Sequence, residues 1–272
     1  MMNGLSPEEM LRPYSKYFYM PPASPAAGKL AMMESPLDPS QALPIERLND
    51  LLNPGYLQDE IGWCILPNGA AYVANVTAMP GISVEMVNWW FAWHAIESLR
   101  YKIWFPPAHY GISISDEDRA KVLNPRLPLV EKFQGLTHHV VEDIGGGAEE
   151  IAIHFLTPED AGFDMGRFKP PYIGTVIAAN GLTRLQNAPA EIPPAPAFMC
   201  HAVRETPGGV ELRTRFWIGY HVIERQPRLL LPPGVRIPEF VPKGLAIHGV
   251  YEYTNLAALL PKIYEEQKNN WS

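Results

Sequence analysis

An α+β domain, in which a curved antiparallel sheet grips one long C-terminal helix around a cavity, is the architecture that this sequence predicts. Three observations predict it. Between residues 136 and 224 the chain passes through a series of β-branched and aromatic segments separated by glycine-rich turns. The last periodic stretch, IHGVYEYTNLAALLPKIYEEQ (247–267), carries apolar residues at helical spacing and closes the sequence. Finally, 272 residues that are 47% hydrophobic and 11% aromatic can bury a sizeable core.

Taken in order, the first sixty residues are punctuated by proline. PPASPAAGK (21–29), SPLDPSQALP (35–44) and LLNPG (51–55) leave room only for a short helix near Ile45 to Leu52. Residues 1–60 therefore read as an accessory arm and 61–272 as the main domain. The arm's Tyr14, Tyr17, Phe18 and Tyr19 need burial, against the main domain or a partner subunit; a flexible tail is the alternative. GWCILPNGAAYVANVTAM (62–79) reads as strand, PNG turn, strand. SVEMVNWWFAWHAIESLR (83–100) reads as one helix capped by Ser83, with Trp89, Trp90 and Trp93 as core and cavity wall. An aromatic strand is expected within RYKIWFPPAH (100–109). Strands follow at 136–144, 149–156, 172–179, 197–206 and 209–224, with GGG (145–147) and PGG (207–209) as hairpin turns. The terminal helix then packs against them.

Charge and cysteine content narrow the function. With 22 basic and 29 acidic residues the net charge is -7, which argues against a nucleic-acid backbone or an anionic membrane surface as partner and favours a small molecule. Two cysteines, Cys64 and Cys200, are too few for a disulfide framework or a thiolate zinc site and suit a reducing compartment. The N-terminus lacks a basic and then apolar leader, and no run of about 18 apolar residues occurs, so a soluble, cytoplasmic protein is expected.

Any metal must then be held by imidazole and carboxylate. On the terminal helix His248 and Glu252 stand four residues apart, one above the other on the same face, and can form half of such a site. A surface ion pair has the same spacing, so further ligands are needed. Eight histidines are available: His94, His109, His138, His139, His154, His201, His221 and His248. His109 follows Pro106 and Pro107, whose stiff backbone suits a ligand. In 136–144, alternation puts His138, Val140 and Glu142 on one face and His139, Val141 and Asp143 on the other. If the first face lines the cavity, the charge of Glu142 requires a cation. Two imidazoles and two carboxylates suit zinc, iron(II) or manganese better than calcium.

NWWFAWH (88–94), RYKIWFPPAH (100–109), HHVVEDIG (138–145), ELRTRFWIGY (211–220) and HGVYEYTNLAALLPKIY (248–264) together resemble the 2,4-diacetylphloroglucinol hydrolase and phloretin hydrolase family. The likeness runs in the same order and at similar spacing from about residue 60 onward. It implies a helix-grip fold of the START/Bet v kind with a dimerising N-terminal part, hence a homodimer. It implies zinc held by His109, Glu142, His248 and Glu252. The implied reaction is hydrolysis of the carbon–carbon bond between a polyhydroxylated ring and an acyl carbonyl, with an acylated phenol as substrate. Hydroxyls meta to one another let the ring adopt a keto tautomer, so the scission is of retro-Claisen type and needs an acid/base beside the metal. Tyr101 matches a family tyrosine on the substrate's phenolic oxygens, His201 is the acid/base candidate, and His138 is a partner to the ligands or a substrate contact. Arg213, Tyr220 and His221 are assigned structural roles. Two other readings remain: a helix-grip binding protein without catalysis, and a mononuclear iron oxygenase.

Overall fold

The computed structural model describes residues 4–189 and 191–271; residues 1–3, 190 and 272, which the division into arm and main domain takes in, lie outside them. The strands are β1 (Gly62–Ile65), β2 (Ala71–Pro80), β3 (His109–Ser113), β4 (Thr137–Asp143), β5 (Ala148–Leu156), β6 (Thr175–Leu185), β7 (Ala195–Thr206), β8 (Gly209–Ile218), β9 (Tyr220–Ile223) and β10 (Gln226–Leu229). The first eight form one antiparallel sheet in the order β1-β2-β8-β7-β6-β5-β4-β3, and β9 pairs with β10. The helices are α1 (Pro7–Met10), α2 (Ala27–Ala31), α3 (Val84–Trp93), α4 (Ser98–Lys102), α5 (Asp116–Leu123) and α6 (Phe240–Gln267). The protein is thus α+β, with a large antiparallel sheet and a long C-terminal helix.

One face of the sheet meets α6 and α3. Ala246, Val250, Tyr253, Leu256, Leu260 and Ile263 are buried at spacings of three and four, so a single stripe of α6 faces inward. The opposite face is covered by Leu43, Ile45, Leu48, Leu51 and Leu52, which pack with Tyr72, Phe198 and Trp217. There the buried guanidinium groups of Arg213 and Arg215 each lie 2.5 Å from a Glu60 oxygen, which gives Arg213 the structural role expected of it. Tyr14 and Tyr17 are buried against the domain, whereas Tyr19 is 64% exposed.

Several local expectations are corrected. The stretch 83–100 is not one helix: α3 stops at Trp93, a tight turn spans His94–Ile96, and α4 begins after an extended Glu97. Glu97 turns its carboxylate to Arg12 and Tyr14, so a tertiary ion pair outweighs helix propensity there. No aromatic strand precedes the prolines. Leu99, Arg100 and Lys102 form helix readily, and the Arg100 guanidinium lies 4.3 Å over the Trp93 ring, which fixes α4. β6 continues past its expected end at Ala179 through Asn180–Gly181 to Leu185. The Asn180 amide accepts from the Val222 N–H at 2.9 Å and donates to its carbonyl at 2.8 Å, imitating a strand neighbour. The 209–224 strand breaks at Gly219, whose positive φ of 105° turns the chain into β9; there Tyr220 accepts from Asn68 and His221 donates to the Gly181 carbonyl, both structural bonds. α6 begins at Phe240, seven residues before the expected start, because Gly244 lets the helix lie against the Ile144 carbonyl, 2.5 Å from where a Cβ would sit.

Candidate active site

Antiparallel register first brings two of the expected ligands together. His109 opens β3 directly opposite Glu142 on β4, so both side chains leave the same face. The Pro106–Pro107 turn, closed by the His109 N–H donating to the Phe105 carbonyl at 3.0 Å, ends the helical segment and aims the imidazole inward. The Tyr101 ring stacks on it at 4.1 Å and 4°. His109 Nδ1 donates to the Tyr101 carbonyl at 3.2 Å, which leaves Nε2 as the lone-pair nitrogen.

Across the cavity α6 supplies His248 and Glu252. Trp104 Nε1 donates to the Glu252 carbonyl at 3.2 Å, and Asn255 Nδ2 donates to the Trp104 carbonyl at 2.7 Å, which locks this part of α6 to the turn that carries His109. The two Nε2 atoms of His109 and His248 lie 3.3 Å apart. Glu252 Oε2 is 3.5 Å from His109 Nε2 and 3.8 Å from His248 Nε2. One donor atom from each of His109, His248 and Glu252 lies within 4.8 Å of the other two, and all three residues are buried. Glu142 reaches this group through His109, at 3.6 Å, with its Oε2 engaged by the Tyr101 hydroxyl.

The electrostatics of the cluster favour a cation. Burial drives the His109 pKa down to about 4, so the imidazole is neutral at physiological pH, and burial followed by the charge of Glu142 lifts Glu252 to about 7. Two buried carboxyl groups thus converge with the neutral His109 ring and with His248, a donor set that fits a divalent metal ion.

The centre opens on a cavity of about 480 Å³ between the sheet and α6. At the end beside His109, His248 and Glu252 the lining includes Tyr101, Trp104, His138, Glu142, His201 and Tyr253. At the other end Leu185, Ile192, Met199, Ile218, Val241 and Leu245 make it apolar. His138 shares the inward face of β4 with Glu142, as alternation requires, and is 1% exposed. His201 on β7 pairs with Thr214 on β8, and its Nδ1 lies 2.8 Å from the Thr214 hydroxyl. Burial keeps this imidazole neutral, with a pKa of about 3. Tyr253, next to Glu252 on α6, lines the same cavity, with its ring 5.5 Å from that of His201. Trp89, Trp90 and Trp93 prove to be core rather than wall; Phe91 and Trp104 line the cavity instead.

Some of the lining has no counterpart in the sequence reading. Tyr253 and Glu149 were not singled out, although Tyr253 is next to Glu252 and Glu149 lies opposite Glu142 in register. Burial, then Glu142 and Asp143, raises the Glu149 pKa to about 7. Thr214 and His94 carried no signal of spacing; only the tertiary contacts bring them to the site.

Residues 43–265 match the family model described as the DAPG hydrolase PhiG domain. Over 274 residues the chain is 36% identical to a phloretin hydrolase of Eubacterium ramulus, with 98% of this chain and 95% of that protein covered. Over 266 residues it is 30% identical to 2,4-diacetylphloroglucinol hydrolases of a Pseudomonas species and of Pseudomonas protegens; 94% of this chain is covered, with 88% and 84% of those proteins. Nearly every element described above therefore falls inside the matched region, and the chain belongs to the DAPG hydrolase family.

Proposed function

We propose that this protein is a metal-dependent hydrolase that cleaves the bond between a phloroglucinol-type ring and an acyl group, releasing the ring and a carboxylic acid. The observation that carries the reading is the convergence of His109, His248 and Glu252, with Glu142 alongside, at one end of a cavity with apolar and aromatic walls. The names of the relatives supply the substrate class. The helix-grip architecture belongs to the same proposal and is supported by α6 lying against one face of the antiparallel sheet. So does a homodimer through the N-terminal arm, supported by the exposure of Leu11 (86%) and Tyr19 (64%).

His109, Glu142, His248 and Glu252 would hold the metal, zinc in the first instance, with iron(II) and manganese as competing occupants. Bound there, such an ion supplies Lewis acidity at the acyl carbonyl and acidifies water. The rest of the work falls to the protein. In the balanced reaction, water oxygen joins the acyl carbon, the ring–acyl bond breaks with its electron pair going to the ring carbon, and a proton arrives at that carbon. The Tyr101 hydroxyl, fixed by Glu142, contacts a phenolic oxygen and holds the ring for scission. Burial, then the charge of Glu142, raises the Tyr101 pKa well above its ordinary value, so it acts as a neutral hydrogen-bonding group. His201 is the acid/base: with Nδ1 held at Thr214, Nε2 is the nitrogen that exchanges a proton with the ring carbon. His138 contacts the substrate. The apolar end of the cavity takes the acyl chain and excludes water from it.

Elemental analysis of the purified protein, with an anaerobic assay of acylphloroglucinol absorbance and carboxylic acid release, tests this reading. The expected result is near-stoichiometric divalent metal, turnover without oxygen, and loss of both metal and turnover in His248→Ala. Full activity in protein stripped of metal, or a requirement for oxygen, would overturn it.

A further inference from the structure

His94 stands where α3 gives way to a tight turn, is 2% exposed and lines the cavity. Its ring is held on several sides: 5.6 Å from Trp90 at 25°, 6.1 Å from Tyr101 at 29° and 5.5 Å from Trp104 at 70°. Nδ1 lies 2.7 Å from the Trp90 carbonyl, so this nitrogen carries the proton and donates it. Burial holds the pKa at about 4, and the neutral ring is then left with a pure acceptor at Nε2. The neighbouring His138 ring lies 5.4 Å away at 84°. Burial likewise holds His138 well below its ordinary pKa, and its Nε2 has no hydrogen-bond partner among the described residues. Of the nitrogens of these two rings, Nδ1 of His94 alone has a protein partner among the described residues.

A buried polar atom without a partner costs about 1–3 kcal/mol, and a purely structural histidine in a core is normally bonded at both nitrogens. Two such rings side by side in a cavity wall need a polar ligand. Because the fixed tautomer of His94 offers only an acceptor, the ligand group must be a donor: a hydroxyl satisfies it, whereas an ether, a carbonyl or a carboxylate leaves it unpaired. Tyr101 stacks on His94 and bonds Glu142, so the pair sits beside the end of the cavity where bond scission is placed.

Resting on the function proposed above, we infer that His94, together with His138, is the specificity subsite that accepts a hydrogen bond from a free hydroxyl on the substrate's aromatic ring. His94 is a recognition residue and takes no part in moving the reacting proton. The pair makes the number of free ring hydroxyls, as distinct from the acyl chain, a determinant of binding.

The test uses rings that cannot be cleaved. Binding of phloroglucinol and of resorcinol, which has one hydroxyl fewer, is measured calorimetrically on the metal-loaded wild type, on His94→Phe, which keeps a flat ring, and on His94→Gln, which restores an acceptor. Wild type should hold phloroglucinol about tenfold more tightly than resorcinol, His94→Phe should bring the ratio near one, and His94→Gln should recover part of it. With an acylphloroglucinol substrate the loss in His94→Phe should fall mainly on KM, with kcat less affected. Metal content equal to wild type shows that each variant is folded at the site. Should His94→Phe not fold, His138→Phe is read by the same ratio. A ratio unchanged in a folded variant that still binds phloroglucinol overturns this inference and leaves the proposed reaction standing. Failure of the wild type to bind either ring overturns the proposed reaction, and this inference with it.

Discussion

Replacing Glu252 by glutamine should make the metal-free protein more stable and the metal-loaded protein less stable. In the absence of metal Glu252 is fully buried, and its pKa rises from 4.5 to about 7. At about 1.36 kcal/mol per pH unit, that rise is a penalty of roughly 3 kcal/mol on the ionised form. A folded-state pKa above the unfolded value means that the folded protein binds the extra proton. Stability is then greatest below pH 4.5 as far as this group is concerned and falls as pH rises to about 7. Glutamine has the same shape and no charge, so it removes the penalty. At pH 8 with chelator present, Glu252→Gln should unfold roughly 5 to 10 °C above the wild type. At pH 5, where Glu252 is largely protonated in the fold, the two should nearly coincide. Adding metal reverses the order, because wild type gains about 2.7 kcal/mol at a hundredfold excess over its Kd and the variant gains little. Differential scanning calorimetry at both pH values, with and without metal, checks all four conditions. A chelated variant less stable than chelated wild type at pH 8 would show that Glu252 is satisfied without a cation, and the electrostatic case for the site would fail.

Three other outcomes follow from the same geometry. Tyr101→Phe removes the hydroxyl that bonds Glu142 but keeps the ring stacked on His109, so bound metal should be retained while kcat/KM falls by about two orders of magnitude; unchanged kinetics would exclude Tyr101 from substrate contact. Burial pushes the Glu60 pKa up, but the bonds and charges of Arg213 and Arg215 outweigh it and hold it at about 2, so its stabilising contribution is present above pH 4.5 and is lost as pH falls toward 2. Glu60→Gln should cost about 3–5 kcal/mol at pH 7 in urea unfolding and flatten that acid limb, since two buried guanidinium groups lose their partner. Gly244→Ala places a Cβ 2.5 Å from the Ile144 carbonyl and must push the start of α6 off the sheet; reduced metal occupancy with little change in secondary structure by circular dichroism is expected.

The sequence by itself determined the chemistry available and the parts of the fold governed by local periodicity. Only two cysteines, a His248–Glu252 pair at one helical turn and the alternation that sets Glu142 and His138 together against His139 are properties of spacing, and they survive folding because helix and strand geometry is fixed by the backbone. The strands and the terminal helix were legible for the same reason. Tertiary structure decided what depends on contacts between distant residues. The break at His94–Glu97 follows from Arg12 and Tyr14, more than eighty residues away along the chain, and His94 and Tyr101, on either side of it, both line the cavity. The continuation of β6 through Asn180–Gly181 depends on Val222, and the bond that holds His201 Nδ1 depends on a β7–β8 register that places Thr214 opposite it. Convergence of His109, His248 and Glu252, with Glu142 alongside, is of this second kind. Their identities are written locally, whereas their mutual distances are set by the pairing of β3 with β4 and by the locking of α6 to the Trp104 turn.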